Sequence, residues 1–166
     1  MLGSPALYQQ IEQHLTGLLG AEDALLLPTL THIHSAVIPV LADQGTIFVD
    51  GRAHKTMWDG CVVARAHGAT LVRFAHHDPE ALEELLVQHT RKPRLVCMDG
   101  INSMTGNPPD LPAFAALARE HDALLYLDDA HGFGIIASAP PTNSAPTAGA
   151  ATAWSATWAS PTTTSS

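Results

Sequence analysis

Residues 95–135 constrain the fold more than any other stretch of the chain. From Arg94 they read RLVCMDGINSMTGNPPDLPAFAALAREHDALLYLDDAHGFGI. Two apolar runs, 95–98 and 124–127, show no alternation of polar and apolar positions. Such runs suit strands covered on both faces of a sheet. Each run stops at acid, Asp99-Gly100 in the first and Asp128-Asp129 in the second. The segment between them is long enough for a crossover helix, so the stretch reads as one β-α-β unit. Parallel sheets take their ligands outside the carboxyl ends of the strands, where these acids fall.

The chain before this unit follows the same pattern. Ser4-Pro5 opens a helix whose apolar stripe is Leu7, Ile11, Leu15, Leu18 and Leu19, with Gly20 as its stop. Residues 24–27 form a short strand candidate, closed by Pro28. A helix over 32–42 contains Pro39, which predicts a kink or interruption. Residues 46–49 read as a strand ending at Asp50-Gly51, and 55–67 as a helix with Trp58, Val62 and Ala66 on one face. After a strand over 69–74, Asp78-Pro79-Glu80 supplies an N-cap, a proline at the first helical position and an acid in the first turn. The helix behind it carries Leu82, Leu85 and Leu86, and that of the 95–135 unit runs from Asp110 to His121. The alternation predicts an α/β fold, three layers α-β-α around a mostly parallel sheet of five strands.

The 166 residues suffice for one core, and a formal net charge of -8 argues against nucleic-acid backbones as partners. With no charged-then-apolar leader and no run of 18 apolar residues, the expectation is a soluble, cytoplasmic protein that does not enter a membrane. Cys61 and Cys97 lie in apolar or periodic segments and read as buried thiols rather than a disulfide or a metal pair. Ten histidines are many, yet no HxxxH or CxxC spacing organises them. His32 and His34 are two apart, and His76-His77 precedes a helix cap, so no metal site is expected.

Three loops carry candidate chemistry. Asp128, closing its strand, can hold a protonated ring nitrogen, the more firmly the more it is buried, and His131 can turn back over the same pocket. Acids after strands also cap the following turn. Ser103, in Asn102-Ser103-Met104-Thr105-Gly106, can donate to an anionic oxygen, although Asp-Gly-x-x-Ser is also ordinary turn chemistry. His54 follows the strand ending at Asp50 and can stack on a planar ligand; a lone loop histidine is otherwise solvated.

The order His54, Ser103, Asp128, His131 resembles the fold-type I pyridoxal-phosphate enzymes, and within them the α-oxoamine synthase family. The likeness runs from about Leu7 to Ile136 and is strongest in DGRAHKTMWDG (50–60), FAHHD (74–78), DGINSMTG (99–106) and LDDAHGFG (127–134). The resemblance implies pyridoxal 5'-phosphate as cofactor. It implies that His54 stacks on the pyridine ring and Asp128 pairs with its nitrogen. It further implies that Ser103 and His131 address the phenolic oxygen, and that Asp99 shapes the pocket. The implied parent reaction is condensation of an amino acid with an acyl-CoA, or transamination on the wider aminotransferase class I/II pattern. A homodimer is the implied assembly.

The chain also departs from that pattern. Thr29-Leu30-Thr31 stands where the family has Ser-Gly-Tyr or Ser-Gly-Phe, whose backbone N–H groups hold the phosphate; Leu30 and Thr31 inherit that role. His34 replaces an Asn, and Lys55-Thr56 replaces Ala-Ser. No lysine follows Lys92, so the Schiff-base lysine of the family has no counterpart, and Lys55 reads as a solvated side chain rather than a substitute. The family's N-terminal arm and small C-terminal domain are likewise missing from these residues. Residues 1–136 therefore read as a partial large domain, inactive alone and binding its cofactor non-covalently at most. Residues 137–166 carry no charged side chain and are mostly Ala, Thr, Ser and Pro, which reads as a disordered, frameshifted tail. A competing reading is a non-catalytic scaffold or partner-binding α/β protein derived from the same fold. A flavodoxin-like or dehydrogenase-like domain has less support, since no GxGxxG follows an early strand.

Overall fold

Four parallel strands of a single sheet, three of them ending at an aspartate, bring Asp50, Asp99 and Asp128 to its carboxyl-terminal side. The computed structural model describes residues 5–133. The strands are β1 (Thr46–Asp50), β2 (Thr70–Phe74), β3 (Arg94–Asp99) and β4 (Leu124–Asp128), in the sheet order β2-β1-β3-β4. The helices are α1 (Ala6–Leu19), α2 (Leu30–Ala42), α3 (Lys55–Ala66), α4 (Pro79–Gln88) and α5 (Leu111–Glu120). The ladder sets Asp99 opposite Asp128, so the two acid-ended runs of the β-α-β unit finish level with each other.

The two faces of the sheet are covered by different helices. Ile38 and Ala42 of α2 and Met57, Cys61 and Ala64 of α3 pack on Ile47, Val49, Leu95 and Cys97. On the other face, Leu82 and Leu86 of α4 and Phe114 of α5 meet Phe48, Val96, Met98 and Leu127. This is the expected three-layer arrangement, and it explains why β1 and β3 are buried at every position. Full burial of one such side chain is worth about 1.5–3 kcal/mol. The chain leaves β1 for α3 on one face and returns through α4 on the other. The strand order therefore reverses between β1 and β3, opening a crevice at their carboxyl ends.

Local signals act as their chemistry requires. The Asp78 side chain accepts from Ala81 N, with Pro79 in the first turn of α4, and Asp110 accepts from Ala113 N in the same way for α5. Pro39 is accommodated inside α2 without ending it. Cys61 and Cys97 are buried free thiols, and burial, with Cys61 alongside, pushes the Cys97 thiol up.

Three expectations need correction. Residues 24–27 do not form a strand, and the sheet has four strands among the described residues rather than five. Backbone N–H groups there go to side chains instead of a ladder: Leu26 N donates to Glu12 Oε1, on α1, and Ala24 N to Asp23 Oδ1. On α3 the inward face is Met57, Gly60, Cys61 and Ala64, while Trp58 and Ala66 are exposed and Val62 is half-buried. Gly60 decides this, because a Cβ there would lie 2.5 Å from the carbonyl oxygen of His34, so only glycine lets α3 approach α2 so closely. Finally, the apolar stripe of α1 is not buried: Leu7 is 63% and Leu18 73% exposed. The predicted tail, 137–166, lies outside the described residues.

Candidate functional site

The crevice between β1 and β3 is built by acids at strand ends and by the loops that follow them. Asp50 closes β1, Asp99 closes β3, and Asp128-Asp129 follow from β4; all four are buried. After β1 the chain turns through Arg52 to His54, the N-cap of α3. The backbone N–H of His54 donates to Asp99 Oδ1 at 3.1 Å, tying the start of α3 to the end of β3. The His54 side chain stays exposed, with Nδ1 2.8 Å from Thr56 Oγ1 and accepting from Thr56 N at 3.3 Å.

Asp128 is engaged through both oxygens. Its Oδ1 accepts from Ala130 N at 3.1 Å, which is the turn-capping role open to such an acid. Its Oδ2 lies 3.3 Å from Nε2 of His34, a fully buried residue on the second turn of α2. Nε2 has no other partner, and its contact with Oδ2 is off hydrogen-bond alignment. Burial pushes the Asp128 carboxyl up. The His34 imidazole, the Ala130 N–H and the His54 charge outweigh that, and the carboxyl lies below its ordinary value. Asp99 goes the other way: burial raises it, with Asp128 and Asp50 adding, against the opposing pull of the His54 N–H.

Thr56 connects the two histidines. Its Oγ1 lies 3.1 Å from His34 Nδ1 as well as 2.8 Å from His54 Nδ1. One hydroxyl proton cannot serve two accepting rings, so at least one imidazole donates. The series His54–Thr56–His34–Asp128 thus runs from the exposed ring to the buried carboxylate. His34 also packs edge-on against Tyr126, with ring centroids 5.8 Å apart.

The remaining sequence-derived positions are brought less closely together. Ser103 is exposed in the turn after β3, and His131 is exposed beyond β4, beside Asp129 rather than hydrogen-bonded to Asp128. Leu30 and Thr31 form the first turn of α2, with Thr29 as N-cap accepting from His32 N. Ile33 N bonds to Thr29 O, while the N–H groups of Leu30 and Thr31 find no partner among the described residues. Lys55 reaches away to Asp59, 2.6 Å, on the exposed side of α3.

Several residues that organise the region were not singled out from sequence. Asn102 is buried; its Nδ2 donates to Arg52 O and Asp99 Oδ2, and its Oδ1 accepts from Met104 N, Thr105 N and Thr105 Oγ1. Asn in a turn before glycine was the available signal. His34 gave none beyond its replacement of a family Asn. Asp129 is buried with both carboxylate oxygens unpartnered, closely faced by Gly100, where a Cβ would meet Oδ1 at 2.2 Å. Burial and the Asp128 charge push its carboxyl up to about 6, with His131 opposing.

The chain matches the family Aminotransferase class I and II over residues 2–157. It belongs to that family. It is 42% identical over 135 residues to a putative 8-amino-7-oxononanoate synthase of Desulforudis audaxviator, covering 81% of this chain and 34% of that protein. To the 8-amino-7-oxononanoate synthase of Chromobacterium violaceum it is 39% identical, covering 82% and 35%. Among solved structures, serine palmitoyltransferase from S. paucimobilis, with a bound PLP-myriocin aldimine, superposes with TM-score 0.72 at 29% identity, covering 78% of this chain and 32% of that one. The chain thus spans about a third of the length of these relatives. Its fold is that of the large domain of fold-type I pyridoxal-phosphate transferases, in the α-oxoamine synthase group. No helix among the described residues is long and apolar enough to cross a membrane.

The residues present suit that cofactor. A carboxylate favoured in its charged form suits a protonated ring nitrogen, and each oxygen keeps a lone pair beyond its present contact. The unpartnered N–H groups at the start of α2 suit a phosphate.

Proposed function

We propose that this chain is the pyridoxal-phosphate-binding portion of an enzyme that condenses an amino acid with an acyl-CoA. The observation that carries the reading is Asp128, buried at the end of β4 yet held in its charged form by His34 and Ala130 N. Pyridoxal phosphate supplies an electron sink for a carbanion next to the amino group. The protein's part is orientation and charge. Asp128 holds the proton on the ring nitrogen, the exposed His54 imidazole offers a stacking face, and Leu30 and Thr31 offer backbone donors to phosphate. Asp99 fixes the His54 backbone, while Ser103 and His131, on the loops after β3 and β4, would address the phenolic oxygen. The amino acid, the acyl-CoA and a second copy of the chain are the partners this reading assigns.

These 166 residues hold no lysine after Lys92, and Lys55 is paired with Asp59. The cofactor is therefore proposed to bind non-covalently here, with no turnover by these residues alone. An absorbance titration with pyridoxal phosphate, repeated after borohydride and dialysis, tests this. Saturable binding that is weakened by Asp128→Asn and washes out after reduction agrees with the proposal; a retained adduct on one lysine contradicts it. A second reading, a non-catalytic partner-binding protein of the same fold, is favoured by the exposed stripe of α1. It gains if no pyridoxal phosphate binds.

A further inference from the structure

On the edge-strand side of β1 a second group of side chains has no place in the cofactor reading. We propose that Asp50, His76 and His77 bind a divalent transition-metal ion of the zinc class. One ligand atom from each residue lies within 4.8 Å of the other two. The grouping is built from the ends of two neighbouring strands. Asp50 closes β1 and is 2% exposed, and the turn after β2 brings His76 Nδ1 to 2.8 Å from Asp50 Oδ1. The backbone N–H of His77 donates to Asp50 Oδ2 at 2.9 Å. His77 adopts a left-handed backbone, φ 55, and its ring lies on that of His76, centroids 3.7 Å apart.

Two features point to a ligand rather than to a turn that merely joins strand ends. The Nε2 atoms of both rings are buried and have no hydrogen-bond partner. An unpaired buried nitrogen costs free energy, which a cation recovers when that nitrogen is the one turned onto it. The donor set is also selective. Two imidazoles and one carboxylate match zinc, cobalt or nickel, whereas magnesium and calcium prefer all-oxygen sites. Zinc–nitrogen bonds of about 2.0–2.1 Å place tetrahedral donors about 3.4 Å apart, so binding requires the two stacked rings to swing apart until their in-plane lone pairs converge on the ion, with water as fourth ligand. Any proton displaced from a coordinating nitrogen passes to solvent. Asn107 Nδ2, 3.4 Å from His77 Nδ1, links the cluster to the loop bearing Ser103, so occupancy would stiffen the rim of the crevice.

The test uses the chain stripped of metal with EDTA and titrated with Co2+ without pyridoxal phosphate. A single equivalent should give visible d–d bands that Zn2+ abolishes and Mg2+ does not. His77→Asn should weaken binding by roughly tenfold or more, while His67→Asn, at an exposed position, should leave it unchanged. Absent saturable binding, or binding equally strong in His77→Asn, overturns the site and assigns any cobalt uptake to scattered surface histidines. If His77→Asn does not fold, imidazole 1H–15N spectra of the unaltered chain decide. Zn2+ must shift the His76 and His77 rings, and shifts confined to other histidines refute the proposal.

Discussion

His34 Nε2 faces Asp128 Oδ2 at 3.3 Å, joining the second turn of α2 to the end of β4 inside the protein. Both side chains are buried, and the electrostatic contact between them offsets part of the cost of burying each. His34→Leu should therefore lower the unfolding free energy by about 1–3 kcal/mol in urea denaturation. Asp128→Asn should cost less in the His34→Leu background than in the parent chain. Strictly additive effects of the two changes would show that the pair is not coupled.

Asp129 makes stability depend on pH in a defined direction. Its carboxyl sits at about 6 in the folded chain against an ordinary 3.8, raised by burial and by Asp128. Between those values the folded state holds a proton that the unfolded state has released. The stabilisation is complete below about pH 4 and is lost as pH rises through about 6. Asp129→Asn removes this dependence. Its unfolding free energy in urea should match the parent near pH 4 and exceed it at pH 8, by about 1 kcal/mol once solvent screening is allowed for. A variant less stable than the parent at pH 8 would reverse the sign of this assignment.

Most of the architecture could be read from the sequence because its signals are local. Asp78-Pro79 and Asp110 cap helices through contacts three residues away, and the unalternated runs of β1 and β3 report burial on both faces. The errors arise where a distant neighbour decides. Trp58, Val62 and Ala66 have helical spacing, but the inward face belongs to the stripe containing Gly60, selected by the His34 backbone opposite. Residues 24–27 are apolar like a strand, yet Glu12 takes the Leu26 N–H that a ladder would need. The acids at strand ends were visible in the same local way. Their partners were not, since His34 and Asp128, or Asp50 and His76, meet only after strands are ordered.

Asn102 holds the loop that carries Ser103. Its Oδ1 accepts from two backbone N–H groups, Met104 and Thr105, and its Nδ2 spans to Arg52 O across the crevice. Asn102→Ala leaves those groups to solvent. Amide hydrogen exchange at Met104 and Thr105 should accelerate, while amides in β1 keep their protection. Stability should fall by roughly 1–3 kcal/mol. Unchanged exchange at Met104 would mean that the turn holds without the side chain.

Two glycines in helices should respond to alanine with opposite signs. A Cβ on Gly17, in α1, would have no atom within 4 Å, so Gly17→Ala adds helix propensity alone and should stabilise by up to about 1 kcal/mol. Gly60 gains the same propensity, but its Cβ would stand 2.5 Å from His34 O, 2.8 Å from His34 C and 3.1 Å from Ile38 Cδ1. Backbone atoms of α2 cannot yield as a side-chain tip can, so α3 must move outward. Overpacking of this kind costs roughly 1–3 kcal/mol and outweighs the propensity gain. The displacement acts on the segment that presents His34 to Asp128, so Gly60→Ala should also weaken pyridoxal-phosphate binding, which Gly17→Ala should not touch. Equal stabilities for the two variants in urea would rule out a tight α2–α3 contact as the element that sets the position of His34.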